Sequence, residues 1–173
     1  PPPDVANVRL SIASPLGVLV SWDAVDTLDV SHYVVYGDQS GSTSGTSLAI
    51  PPYNITGAVH ASVGAVDTLG LGSETPTQGS VTINGPARPA ITSASLQSEG
   101  IAVSWRDAAR TWPVARYIVT LGGVTVISQT ATAIIPVPQS FAAGDAVTVQ
   151  AVDIFNNAGE VSETVEVAIT PPK

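Results

Sequence analysis

A block of about half the chain occurs twice. Val18-Leu19-Val20-Ser21-Trp22 returns as Ile101-Ala102-Val103-Ser104-Trp105, and Ala65-Val66-Asp67 returns as Ala151-Val152-Asp153. Tyr33 and Tyr117 fall between these runs in the same order, and the spacing drifts by only a few residues. A duplication of this size in 173 residues means two copies of one small domain, not one large domain. Each copy is large enough to hold a core without covalent staples. The lack of cysteine agrees with that: there is no disulfide framework, thiolate nucleophile or zinc knuckle.

Period-2 alternation runs through both copies and helical periodicity is missing. Val18, Val20 and Trp22 share one face; Val59, Ala61, Val63 and Ala65 share another. The second copy repeats this with Ile101/Val103/Trp105, Tyr117/Val119/Leu121 and Val147/Val149/Ala151. Short β-prone runs separated by Gly- and Ser-rich turns predict an antiparallel sandwich in each half. Asn84-Gly85-Pro86-Ala87-Arg88-Pro89 marks the division, with domains over 1–84 and 87–173. Its prolines lack backbone donors and predict a short, stiff spacer. The stretch from Gly37 to Thr46 has no apolar residue and predicts a solvated loop.

Tryptophan on the second strand, tyrosine on the third and Ala-Val-Asp closing the sixth together resemble the fibronectin type III domain. The resemblance covers both halves and implies two tandem seven-stranded antiparallel immunoglobulin-like sandwiches, with Trp22, Trp105, Tyr33 and Tyr117 in the cores. That family usually carries a tyrosine six residues before the alanine of the sixth strand, where it ties down a corner. Here those positions are Val59 and Asp145, so the turns at Ile55-Thr56-Gly57 and Phe141-Ala142-Ala143-Gly144 are expected to hold the corners instead.

Fourteen acidic residues against six basic ones give a net charge of −8, with a single lysine at Lys173. Such a surface repels phosphate, which disfavours nucleic acid and anionic membranes as partners. No apolar stretch approaches the ~20 residues of a membrane helix. The opening Pro1-Pro2-Pro3 and the absence of methionine read as a piece cut from a longer protein.

Chemistry-bearing residues are sparse. His32 and His60 are isolated, and no nucleophile–base spacing, zinc motif or phosphate loop accompanies them. The expectation is no catalytic set, no cofactor and no metal. Asp23, Asp26 and Asp29 could ligate calcium if their loop folded back, but aspartate is also a common turn former. Leu28-Asp29-Val30 matches the short integrin-binding tripeptide of fibronectin, and Asn54-Ile55-Thr56 is a glycosylation sequon; both patterns recur by chance. Trp112 has no tryptophan counterpart in the first copy and sits beside Arg110 and Arg116. An aromatic among arginines has the composition of a contact hot spot, which makes Trp112, Arg110 and Arg116 the candidate contact residues. The structural alternative, a lid over the open end of the sandwich or a pad against the linker, is the favoured reading of Trp112, which is still the best single candidate for a contact.

Lysine-poor, alanine- and valine-rich domains of this kind without cysteine resemble those of bacteria and their phages. The resemblance implies a structural and interaction module that extends a rod at an extracellular surface, on a phage tail or capsid. Its partners would be neighbouring subunits or host-surface glycans. The alternative is a spacer within a secreted polysaccharide-degrading enzyme or a cell-surface adhesin.

Overall fold

Strand pairing, not helix, absorbs the alternating pattern everywhere in the computed structural model, which describes residues 1–107 and 109–169. The chain divides into two compact units, Pro1–Ile83 and Asn84–Lys173.

In the first unit β1 (Ala6–Ala13), β2 (Gly17–Asp23) and β5 (Ser47–Ile50) form a three-stranded sheet in the order β1-β2-β5. The second sheet contains β3 (Val30–Gly37), β4 (Gly41–Thr43), β6 (Gly57–Asp67) and β7 (Thr77–Ile83), in the order β4-β3-β6-β7. Every pairing within the two sheets is antiparallel. Val18, Val20 and Trp22 of one sheet and Tyr33, Val35, Val59, Val63 and Ala65 of the other fill the space between. β-branched residues pack well on pleated surfaces, and their alternation turns the intervening residues to the outer faces of the sheets.

The polar stretch after Gly37 is not all loop. Its residues Gly41–Thr43 pair with Val35, Val34 and Tyr33 as β4. An edge strand of this kind is held by its backbone, so it needs no apolar side chain, and composition alone could not show it.

The second unit repeats the arrangement. β8 (Ala90–Gln97), β9 (Gly100–Arg106) and β12 (Thr132–Ile135) form one sheet. β10 (Val114–Leu121), β11 (Val124–Ser128), β13 (Ala146–Asp153), β14 (Ala158–Val161) and β15 (Val165–Glu166) form the other. β14 and β15 both pair with β13 and are one interrupted seventh strand. The interruption is Ser162-Glu163-Thr164, matching Ser73-Glu74-Thr75 before β7. At both breaks the serine hydroxyl takes a ladder position. Ala65 N–H donates to Ser73 Oγ at 3.2 Å, and Val149 N–H donates to Ser162 Oγ at 2.9 Å. A buried donor that would otherwise be orphaned is thus satisfied.

The corners before the sixth strands follow two solutions. In the second unit Asp145 Oδ2 accepts from Ala142 N–H at 3.0 Å, while Asp145 N–H donates to Ala142 O at 3.2 Å. In the first unit Val59 is simply buried, and Ile55 N–H donates to Pro52 O at 3.3 Å.

The proline-rich entry to the second unit is packed, not a free spacer. Pro86 and Pro89 are buried, and Glu160 N–H donates to Pro86 O at 3.3 Å. A Cβ on Gly159 would stand 1.9 Å from Pro86 O, so only glycine admits so close an approach. The first unit does the same with Pro2 and Val5, which are buried, and with Asp4 Oδ1 accepting from Thr75 N–H at 2.9 Å.

Because Trp22 and Trp105 each fill the core of their own unit, Trp22→Ala and Trp105→Ala should each cost about 3–5 kcal/mol. Calorimetry should show one unfolding transition move in each variant while the other holds; a joint shift would contradict two separate cores.

Candidate functional site

In each unit the connections that could present contact residues gather at one pole. The pairing of Ala6 with Asp23 and of Val30 with Asp67 brings the start of β1, the β2–β3 connection and the β6–β7 turn to one end. Ala90 with Arg106 and Val114 with Asp153 do the same in the second unit.

The aspartate of each Ala-Val-Asp run builds the turn at that pole. Asp67 is 6% exposed and its Oδ1 accepts from Leu69 N–H and Leu71 N–H at 2.9 and 2.8 Å. Asp153 is 2% exposed and its Oδ1 accepts from Phe155 N–H and Asn157 N–H, both at 2.9 Å. A buried carboxylate is tolerable because it replaces water with backbone donors. The third turn residue is left-handed in both, Gly70 at φ 81° and Asn156 at φ 62°, a conformation open to glycine and asparagine. The turn is then tied to the facing connection: Thr68 N–H donates to Asp29 O at 2.9 Å, and Ile154 N–H donates to Pro113 O at 3.0 Å.

The core tyrosines secure the same connections from below. Tyr33 Oη accepts from Val25 N–H at 3.0 Å. Tyr117 Oη donates to Asp107 Oδ1, and Arg110 Nη1 donates to Asp107 Oδ2 at 2.8 Å. Burial, then the hydrogen bond and negative charge of Asp107, push the Tyr117 phenol up to about 12.

The two poles share a frame but not a surface. Trp112 is 1% exposed and meets Phe155 edge-on, with ring centroids 5.2 Å apart and planes at 88°. The contact role expected of Trp112 is therefore corrected: its indole is inside, where it closes the pole as a lid. Arg110 stays exposed on Asp107, while half-buried Arg116 donates through Nη2 to Asn156 Oδ1 at 2.5 Å. Leu28 stands five residues before Tyr33, as Trp112 stands before Tyr117. Leu69 stands two residues after Asp67, as Phe155 stands after Asp153. These leucines point into water, Leu28 at 109% and Leu69 at 84% exposure, with Leu71 beside them at 51%. The sequence reading did not single out this pair; aligning the copies on their tyrosines and aspartates would have exposed it.

The remaining candidates are dispersed. Asp23 accepts from Asn7 Nδ2 at 2.6 Å and lies 3.8 Å from Arg9 Nη1. Among the described residues no group of three His, Cys, Asp or Glu is placed to hold a metal ion. His32 and His60 lie on the outer face of the four-stranded sheet, in register with Val66 and Ser80. Asn54 of the sequon is exposed in the turn before β6, and no helix among the described residues is long and apolar enough to cross a membrane.

The fold is that of the fibronectin type III and immunoglobulin-like sandwiches, defined by three- and four-stranded antiparallel sheets packed face to face. No family model matches the chain, and no curated protein does either. Among solved structures it is similar to the FN1–FN3 domains of chicken CNTN1, at 14% identity and a TM-score of 0.42, over 98% of this chain and 66% of that one.

Two measurements check this geometry. Absorbance titration should show Tyr117 ionising near about 12, and Asp107→Ala should lower that value. The fold favours the neutral phenol, so its stabilising effect is complete below the unfolded value of about 10 and is lost as pH rises through about 12. Asp153→Ala removes the carboxylate to which Phe155 N–H and Asn157 N–H donate and should destabilise the second unit by about 1–3 kcal/mol for each bond lost. Denaturant unfolding reads that loss; an unchanged midpoint would remove the carboxylate's structural role.

Proposed function

We propose that this chain is a non-catalytic structural and interaction module that lengthens a rod in a surface-exposed assembly, a phage tail or capsid decoration. One observation supports this most: each unit takes the chain in at one pole and releases it at the other. β1 starts beside the end of β2, whereas Ile83 at the end of β7 pairs with Gly57 at the start of β6. In the second unit β8 starts beside Arg106, whereas Glu166 pairs with Ala146 at the far end. Units built this way suit end-to-end stringing. Arg110 and Arg116 are then the groups through which the second unit meets neighbouring subunits or host-surface glycans, in an extracellular setting.

Small-angle scattering tests the rod. Size scaling gives a single 173-residue globule a radius of gyration of about 16 Å, and an extended pair of units should exceed that by several ångströms. Immunogold labelling with antibody against the chain tests the placement, with label expected on the outside of intact virions. Label found only on secreted polysaccharide-degrading enzyme would overturn it in favour of the spacer.

A further inference from the structure

The bare leucines at the first unit's pole have a covered counterpart in the same molecule. Two positions fixed by the same tyrosine and aspartate anchors carry large apolar residues in both units. In the second unit they meet each other and leave water; in the first they do not. The turns that carry Leu28 and Leu69 are tied by the bond from Thr68 N–H to Asp29 O, and Leu71 follows on the second of them. Scattered exposed leucines need no explanation, but three on two linked turns, at 109%, 84% and 51% exposure, concentrate apolar surface at one tip.

The rim is acidic. Exposed Asp23, Asp26 and Asp29 line the β2–β3 connection, and the first unit's one cation, Arg9, lies against Asp23. Two such tips pressed together would bring like charges face to face, which opposes pairing with a second copy. We infer that the Leu28–Leu69–Leu71 tip is a docking site for a protein segment that presents an apolar side chain bracketed by lysine or arginine. The leucines supply the dry contact, and the aspartates select the sign of the flanks. This rests on the module reading above and adds the chemistry of one partner.

The test is methyl and amide NMR of the whole chain titrated with two synthetic peptides sharing a Leu-Trp-Leu centre, one flanked by Lys and Arg, the other by Glu. The basic peptide should give saturable shifts at Leu28, Leu69 and Leu71, weakened at least tenfold by 0.5 M salt. The double variant Leu28→Ser/Leu69→Ser should lose those shifts while keeping its remaining spectrum, since both side chains are already in water. No shift at the tip, equal shifts with the Glu-flanked peptide, or shifts that persist in the variant would each overturn the inference. So would tip shifts produced by raising protein concentration alone, which would mark self-association. A silent tip on a chain that immunogold still finds on virions would sink this inference and leave the module reading standing.

Discussion

The contact between an indole on one sheet and a phenol on the other is the interaction on which each unit depends. Trp22 of β2 meets Tyr33 of β3 at 5.4 Å, and Trp105 of β9 meets Tyr117 of β10 at 5.1 Å. In both cases the rings join opposite sheets, so the pair sets how the layers face one another as well as burying large apolar area. The same phenols then reach out of the core. Through Val25 N–H and Asp107 they hold the β2–β3 and β9–β10 connections that form the pole. Core and surface are thus coupled through single side chains.

With that frame fixed twice, the poles were free to diverge. The buried aspartates keep the same turn in both units, so the residues they hold up can change without altering the backbone beneath. One unit spends two aromatic residues on closing its tip and ties its arginines to Asp107 and Asn156. The other exposes leucines beside the aspartates of its β2–β3 connection. A scaffold that holds loops this firmly while varying their content is what an interaction module requires.

The sandwich was legible in the sequence because β-branched alternation reports directly on which face is buried. Trp22, Tyr33, Trp105 and Tyr117 were placed by it, and the structure buries all four. Features that rest on backbone pairing were not legible: β4 is polar, and the packed entry at Pro86 depends on Gly159 lacking a side chain. The pole was half legible. Trp112 among arginines looked like a contact because composition cannot tell a covered aromatic from a bare one. Its cover, Phe155, is 43 residues away and is brought near only by the pairing of β10 with β13. Leu28 and Leu69 are 41 residues apart; Leu28 drew notice only within the tripeptide Leu28-Asp29-Val30, and Leu69 gave no signal.

Acrylamide quenching of tryptophan fluorescence bears most directly on two closed cores and a lidded second pole; a neutral quencher is needed because a chain of −8 charge repels iodide. Trp22, Trp105 and Trp112 are 4%, 4% and 1% exposed, so all three should emit in the blue and resist quenching until the chain unfolds. A red-emitting fraction of about one third, quenched freely in the native protein, would place one indole in water and contradict this structure.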